Sequence, residues 1–179
     1  MQKALYILGQ LTDVDVEWLI QAGRAREVVK GEVLIRQGVP LENLFIVLSG
    51  LFSVVNENIG QRELARLGPG EIVGEMSFVD ASPPSATVAS LEPGTVLSIP
   101  RQALQNKLAS DTAFGSRFYR ALAIFLSDRV RSMVRHLGYG EASGQPQQVG
   151  DELDFEVLEN VHLAGARFER ILQRLTSAV

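Results

Sequence analysis

Between residues 27 and 100 the chain alternates short apolar runs with single glycines, a pattern typical of a β-sheet body with tight turns. The glycines that separate the runs are Gly31, Gly38, Gly50, Gly60, Gly68, Gly70 and Gly94. Only Ser49-Gly50 separates the runs 44–48 and 51–55, which predicts a tight antiparallel connection. Because both runs are almost continuously apolar, we expect both faces of these strands to be covered, as in a rolled-up or two-sheet body.

Further strands are predicted where Val, Leu, Ile and Ala recur in short runs, at residues 33–35, 63–67, 86–89 and 95–99. A helical signal precedes the sheet body. Thr12 followed by Asp15 is a capping-box pattern, and the apolar spacing after it predicts a helix over 13–22 that ends at Gly23.

The segment after Pro100 returns to helical spacing, which predicts a short helix over 101–108 and a long one over 112–136. Apolar residues of the long helix recur every three or four positions, at Phe118, Leu122, Leu126, Val130, Met133 and Leu137. Such a stripe either packs on the β-body or forms a seam with a second copy of the chain. Since about seven helical turns exceed what a small roll covers, we expect a homodimer through the 112–136 helix.

These elements predict a mainly β fold with flanking helices: a double-stranded β-helix of the jelly-roll or β-roll type, with N-terminal helices and a long C-terminal helix. We expect a domain over 1–137, a flexible polar linker over 138–150, and an amphipathic helix within 151–179. The last helix needs a partner surface, because its seam contains a glycine. Docking on the basic 117–135 helix is one hypothesis, and capture of a protein partner through 151–175 is another.

The net charge of −4 is unevenly distributed, since residues 1–100, 101–137 and 138–179 carry formal charges of −5, +5 and −4. A basic middle segment is compatible with nucleic-acid contact, but a pI near 5.3 favours ion pairing within the protein. The sequence has no cysteine, no leader of the signal-peptide type and no apolar run near the roughly 20 residues that cross a bilayer. We therefore expect a cytoplasmic protein that does not enter a membrane.

Residues 70–88 combine two features that suit an anionic ligand. Glu75 stands at the start of a predicted helical turn, and residues 83–87 (Pro-Pro-Ser-Ala-Thr) form a second turn. The small side chains of the second turn leave backbone N–H groups free to face an anion. This combination favours a site for a sugar-phosphate ligand.

The order of these elements resembles a cyclic nucleotide-binding domain, the module of catabolite-activator-type regulators, protein kinase A regulatory subunits and nucleotide-gated channels. The stretches 30–34 (Lys-Gly-Glu-Val-Leu), 44–50 (Leu-Phe-Ile-Val-Leu-Ser-Gly) and 67–71 (Leu-Gly-Pro-Gly-Glu) are similar to its successive β-roll signatures. Residues 74–88 are similar to its phosphate-binding cassette, and the likeness extends over about 5–137.

The resemblance implies a cyclic nucleotide, cAMP or cGMP, or another small anion as the ligand, and no metal or other cofactor. The ligand-binding residues that it implies are Gly74, Glu75, Met76, Ser77, Ser85, Ala86 and Thr87.

One position departs from the family pattern. Glu75 stands where the family's glutamate accepts a hydrogen bond from the ribose 2′-hydroxyl, but Pro84 stands where its arginine pairs with the cyclic phosphate. Proline offers neither a guanidinium nor an N–H group. Losing one member of a buried charge-assisted pair costs roughly 2–5 kcal/mol, or roughly 30- to several-thousand-fold in affinity. We expect weak or no binding of cAMP and cGMP unless another arginine reaches the pocket.

Three arginines on neighbouring β-runs, Arg36, Arg62 and Arg66, are candidates for that role, although surface charge is their simpler interpretation. Glu75 also has a second interpretation, as a carboxylate that caps the cassette turn.

Two classes of function are not expected. A DNA-reading helix-turn-helix does not fit the 42 residues after Leu137, about 13 of which resemble a linker. A cupin-type metalloenzyme needs histidines on the β-strands, whereas His136 and His162 fall on predicted helices. We therefore expect a regulatory, non-enzymatic protein. It is either a sensor of a small anionic ligand or a ligand-free dimeric adaptor that uses the long and C-terminal helices.

Overall fold

The computed structural model describes residues 5–60, 62–136 and 155–176. The helices of these residues are α1 (Leu5–Gln10), α2 (Asp13–Ala22), α3 (Glu75–Asp80), α4 (Arg101–Ser110), α5 (Thr112–His136) and α6 (Phe155–Thr176). The strands are β1 (Arg24–Val28), β2 (Val33–Ile35), β3 (Asn43–Ser49), β4 (Phe52–Asn56), β5 (Arg62–Leu67), β6 (Ile72–Val73), β7 (Thr87–Ser90) and β8 (Gly94–Pro100). A single 3-10 turn, Glu57–Ile59, precedes β5.

The strands form two antiparallel four-stranded sheets, in the orders β1-β8-β3-β6 and β2-β7-β4-β5. Phe45, Val47 and Phe52 belong to the apolar core of the roll, whereas Leu44 and Ile46 of β3 belong to a second core beneath the helices. Successive side chains of a strand point to opposite faces, so residues 44–48 of β3 are continuously apolar because both faces are covered. The predicted β-roll with flanking helices is confirmed.

The connection at Ser49-Gly50 differs from the predicted hairpin. β3 and β4 lie in different sheets and do not pair, so the prediction of a tight antiparallel connection is wrong. Gly50 adopts a left-handed conformation (φ 90°), and a Cβ there would lie 2.8 Å from the Cα of Gly94. The chain crosses between the sheets at this close approach of two backbones, which only glycine permits.

The predicted N-terminal helix and its cap are confirmed. Thr12 Oγ1 accepts a hydrogen bond from the Asp15 backbone N–H (3.3 Å), and Asp15 Oδ2 accepts one from the Thr12 N–H (2.7 Å). This capping box begins α2 at Asp13, and the helix ends before Gly23, as expected. The short and long helices after Pro100 are confirmed as α4 and α5.

The apolar stripe of α5 is buried at one end and exposed towards the other. Phe118 and Leu122 are buried in the core shared with the N-terminal helices, whereas the side chain of Val130 is 59% exposed. The predicted positions 133 and 137 fall outside the described side chains. The N-terminal half of the stripe therefore packs within the chain, and Val130 is the described member of the stripe that is largely exposed.

α6 packs chiefly on α1 and α2, not on the 117–135 helix that the charge pattern suggested. Ala164 and Ile171 of α6 are fully buried, and Arg167 forms an ion pair with Asp13 of α2 (2.8 Å). The apolar core shared by Leu8, Ala164 and Ile171 holds α6 on the N-terminal helices, and the acids of α2 add ion pairs beside it. The predicted linker 138–150 lies outside the described residues, and the predicted division into domains stays a prediction.

Among residues 5–60, 62–136 and 155–176, no helix has an apolar stretch long enough to cross a bilayer.

Candidate ligand-binding site

Gly74 and the short helix α3 bring Glu75 into the interior of the roll. Gly74 has a left-handed conformation (φ 93°) and forms the N-cap of α3, and a Cβ at this position would overlap the side chain of Leu41. Only glycine allows both the turn and the close approach. The turn leaves Glu75, the first residue of α3, only 2% exposed.

A shallow, open cleft with a cavity volume of about 70 Å³ lies between α3, the 83–86 turn, α5 and the inner strands. Its lining is apolar on the strand side and polar around α3 and the turn. The lining residues are Ile35, Val54, Leu67, Val73, Gly74, Glu75, Met76, Ser77, Pro84, Ser85, Ala86, Val88 and Arg129. Six of the seven residues predicted to bind a ligand, namely Gly74, Glu75, Met76, Ser77, Ser85 and Ala86, are thus brought together around one cleft.

Thr87 is the predicted residue that does not line the cleft. It is the first residue of β7 and stands between Ala86 and Val88, which do line the cleft, so its side chain points to the opposite face. There its hydroxyl accepts a hydrogen bond from the Gln37 backbone N–H (3.0 Å) and donates one to Glu57 Oε1 (2.6 Å). In this structure Thr87 therefore anchors the turn to the neighbouring loops.

The backbone of the 83–86 turn is held by two further hydrogen bonds. The Gly38 N–H donates to the carbonyl of Pro84 (2.9 Å), and Asn56 Nδ2 donates to the carbonyl of Ser85 (3.2 Å). Both carbonyls are thereby occupied outside the cleft. The turn is positioned by the loop after β2 and by the end of β4, before any ligand is present.

Across the cleft, Arg129 of α5 forms an ion pair with Glu75: its Nη1 donates a hydrogen bond to Glu75 Oε1. The guanidinium also lies over the ring of Phe125, 4.7 Å from the ring centroid, which favours a fixed position. Burial raises the pKa of the Glu75 carboxyl, and the charge of Arg129 opposes this rise. Arg129 thus neutralises the acid that would otherwise be buried without a partner.

Sequence reasoning missed Arg129 and considered three other arginines. Arg36, Arg62 and Arg66 do not line the cleft, and Arg66 instead pairs with Glu63 (2.8 Å). Arg129 is 54 residues from Glu75 along the chain, so spacing could not connect them. The available signal was the excess of basic residues over 101–137, the segment that forms the long helix.

The charged side chains that line the cleft are one carboxylate, Glu75, and one guanidinium, Arg129. Pro84, at the position of the family's arginine, contributes neither charge nor an N–H donor. An entering anion therefore meets a guanidinium that already has a partner. No group of three His, Asp or Glu side chains suited to a metal ion occurs among the described residues.

The arrangement of cleft, cassette and long helix agrees with the comparison to protein families. Residues 25–111 match the family profile described as "Cyclic nucleotide-binding domain". The β-roll is a cyclic nucleotide-binding domain. The match begins in β1 and ends at the close of α4, so it includes the cassette but not α5 with Arg129.

Known relatives of this cyclic nucleotide-binding domain include a potassium channel and a receptor protein. The chain is 37% identical over 81 residues to a cyclic nucleotide-gated potassium channel of Mesorhizobium japonicum, covering 45% of this chain and 21% of that protein. It is 31% identical over 94 residues to the cyclic AMP receptor protein of Thermus thermophilus, covering 51% of this chain and 44% of that protein. The chain therefore spans less than half the length of these curated relatives.

The fold is also that of a solved structure, a cyclic nucleotide-binding domain from Methylobacillus flagellatus. The two share a TM-score of 0.69 and 24% sequence identity, covering 80% of this chain and 85% of that one. At this identity the likeness establishes the fold of the domain, and the ligand must be argued from the residues of the cleft.

Proposed function

We propose that this protein is a regulatory, non-enzymatic sensor whose cleft binds a small anionic ligand, with cyclic nucleotides among the candidates. The observation that carries the proposal is the cleft itself, which brings a buried acid and a cation on different elements to one place. Ser85 and Ala86 stand beside them as small residues that leave room for a ligand. An anion in the cleft would take part of the hydrogen bonding of Arg129 away from Glu75.

The same geometry argues for weak binding of cAMP and cGMP. A cyclic phosphate finds Pro84 where a second cation would be needed, and Arg129 is already committed to Glu75. Separating Arg129 from Glu75 leaves a buried carboxylate, and that cost reduces the affinity. The ligand preferred by this cleft is one that Arg129 contacts without releasing Glu75.

A thermal-shift panel tests the proposal. At 10 mM cAMP, a Kd of about 1 mM stabilises the folded protein by about 1.4 kcal/mol, which raises Tm by roughly 3–6 °C for a chain of this size. The panel comprises cAMP, cGMP, AMP and inorganic phosphate at equal ionic strength. If none of the four raises Tm, the sensor proposal is contradicted.

A second candidate function is a dimeric adaptor that works without a ligand. The observation in its favour is the exposed apolar end of α5, where Val130 and Val134 stand one helical turn apart. Two copies would bury these residues against each other. An unchanged Tm across the panel, together with a stable dimer in sedimentation experiments, favours the adaptor over the sensor.

We also propose that the protein acts in the cytoplasm without binding DNA. Residues 155–176, the described part of the chain after α5, form one continuous helix docked on α1 and α2. Such a helix is not a helix-turn-helix. A mobility-shift assay with mixed DNA at moderate salt should therefore show no complex, and a retained band would contradict this part of the proposal.

A further inference from the structure

Three acids of α2 alternate along the sequence and contact two different helices. Residues two positions apart on an α-helix lie about 200° apart around its axis, so Asp13 and Glu17 share one side while Asp15 faces the other. Asp15 pairs with Arg117 of α5, whereas Asp13 and Glu17 pair with arginines of α6. α2 is therefore a bridge between the helix that lines the cleft and the C-terminal helix.

Arg167 of α6 makes several polar contacts with the N-terminal helices. Arg167 donates from Nε to Asp13 Oδ1 (2.8 Å) and from Nη1 to the backbone carbonyls of Leu8 (2.9 Å) and Gly9 (3.3 Å). It thus reaches both the C-terminal end of α1 and the first residue of α2. Its side chain is 13% exposed, and its two bonds to the carbonyls are partly buried, whereas its pair with Asp13 faces solvent because Asp13 is 56% exposed.

The remaining polar contacts of α6 are weaker. Arg170 lies 3.3 Å from Asp13, Arg174 lies 3.1 Å from Glu17, and both arginines are exposed. Exposed ion pairs of this kind contribute little to stability. Among the described side chains, Arg167 and an apolar strip that contains the fully buried Ala164 and Ile171 thus contribute to the attachment of α6.

We infer that α6 is a releasable helix, and that the state of the cleft sets its docking on α1 and α2 through α5 and α2. The inference rests on the proposed function in one respect: a bound ligand is what would change the cleft. α5 carries both Arg129, which pairs with Glu75 in the cleft, and Arg117, which pairs with Asp15 of α2. These two arginines are 12 residues apart on one helix, a rise of about 18 Å.

The physical route is short and continuous. A change at Glu75 moves Arg129 and with it the end of α5, and a rigid helix passes the displacement to Arg117. The pair between Arg117 and Asp15 has two hydrogen bonds, so α2 follows. Movement of α2 separates Asp13 from Arg167 and releases α6, exposing its arginines beside Ile171.

Linkage makes the inference quantitative. A ligand shifts the docking of α6 only by the ratio of its affinities for the docked and released states. By reciprocity, the affinity of the cleft for the ligand differs between the docked and released states of α6 by the same factor. A helix that merely packs on the surface, without coupling, leaves the affinity of the cleft unchanged.

Hydrogen exchange of the full chain tests the release. Arg167→Ala removes the buried hydrogen bonds, and the amides of 162–175 should then exchange about 10- to 100-fold faster. Exchange in the β-roll should not change. Arg62→Ala, a matched loss of an arginine on β5, is the control and should leave α6 as in the wild type. If the amides of α6 and of the β-roll exchange at the same rate in both variants, α6 does not open independently of the roll and the inference fails.

A second set of variants tests the coupling. Glu75→Gln combined with Arg129→Gln removes the cleft pair without leaving a buried charge, and exchange of 162–175 should change at least about threefold. Adding Asp15→Asn and Arg117→Gln, which neutralise the bridge while keeping polar groups in place, should abolish that change. Equal exchange of α6 with and without the cleft pair overturns the coupling.

Calorimetry with cAMP on the same proteins separates this inference from the proposed function. If cAMP binds and leaves the exchange of α6 unchanged, the inference fails and the sensor function stands. If cAMP does not bind while the cleft variants change the exchange of α6, the coupling stands and cAMP sensing fails. Arg167→Ala should change the affinity for cAMP, and cAMP should change the hydrogen exchange of α6. If these two changes agree, they support both the sensor function and the coupling.

Discussion

Asp15 of α2 and Arg117 of α5 are 102 residues apart in sequence and form an ion pair with two hydrogen bonds. Arg117 Nε lies 2.7 Å from Asp15 Oδ2, and Nη2 lies 2.8 Å from Oδ1. The carboxylate also caps α2 by accepting the Thr12 N–H, and Asp15 is 2% exposed. One side chain therefore begins the N-terminal helix and joins it to the long helix.

The Asp15 pair predicts a loss of stability in acid. Burial alone would raise the pKa of Asp15, but the hydrogen bonds from Arg117 and Thr12 outweigh it and lower the pKa from 3.8 to about 2. The difference corresponds to about 2 kcal/mol of unfolding free energy. That contribution is complete above about pH 5 and is lost as the pH falls through 4 towards 2. Urea unfolding across this range measures it.

Asp15→Asn is the control for the acid prediction. Asparagine still accepts a hydrogen bond from Thr12, but it has no charge to titrate. The variant should be less stable than the wild type at pH 6, and the difference should shrink as the pH approaches 2. A constant difference across the range would show that Asp15 does not titrate with a lowered pKa.

The pair between Glu75 and Arg129 predicts strongly non-additive substitutions. Arg129→Ala leaves a buried carboxylate without its partner and should reduce the unfolding free energy by about 3 kcal/mol. Combining it with Glu75→Gln removes the unpaired charge and should recover part of that loss. Chemical denaturation of the two single variants and the double variant gives the coupling. Additive effects would contradict the pair.

The same glutamate titrates in the opposite sense to Asp15. Because the pKa of Glu75 is raised in the folded state, the folded protein binds the proton more readily than the unfolded chain does. The contribution of Glu75 to stability therefore falls as the pH rises from about 4.5 through the raised pKa. Glu75→Gln should flatten this part of the pH–stability curve, which the urea series also measures.

Pro84→Arg should strengthen the binding of cAMP. The substitution returns a guanidinium to the turn beside the cleft, opposite Glu75, and the expected gain is roughly 30-fold or more in affinity, the lower end of a buried charge-assisted contact. Pro83→Arg is the matched control, since Pro83 is the exposed neighbour in the same turn. Calorimetry should show the gain for the first variant alone. Equal affinity in the two variants would mean that position 84 does not face the phosphate.

Thr87→Val tests whether Thr87 holds the 83–86 turn in place or contacts the ligand. The variant loses the hydrogen bonds to Gln37 and Glu57 and should cost about 1–2 kcal/mol of stability. In the Pro84→Arg background its affinity for cAMP should stay within about twofold, since the hydroxyl points away from the cleft. Ser85→Ala should instead change stability by less than about 0.5 kcal/mol. Weaker cAMP binding by a fully stable Thr87→Val protein would restore Thr87 as a ligand contact.

The elements that local rules control were predictable from the sequence. The capping box at Thr12 and Asp15 depends on residues three positions apart, and the structure begins α2 there. The cassette residues 74–77 and 85–86 are also close in sequence, so a family resemblance aligned them with one cleft. In both cases the deciding contacts lie within a short stretch of chain.

The features that the sequence did not predict depend on contacts between distant elements. The crossing at Gly50 depends on the close approach of Gly94, which is distant in sequence. The neutralisation of Glu75 depends on which way Arg129 faces on α5. The hypothesis that α6 docks on the basic helix rests on the charge pattern. Charge totals do not reveal that Arg117 is already paired with Asp15, or that Asp13 remains available to α6.

The exposed end of α5 predicts a substitution that separates dimerisation from folding. Val130→Lys should leave the stability of the monomer nearly unchanged, because this side chain is 59% exposed, but it should dissociate a dimer formed through α5. Leu122→Ala, in the buried half of the same stripe, should instead cost about 2–5 kcal/mol of stability. Val39→Lys, at another exposed valine, controls for added charge. Sedimentation velocity and urea unfolding distinguish the three variants, and a dimer that survives Val130→Lys would exclude this surface as the interface.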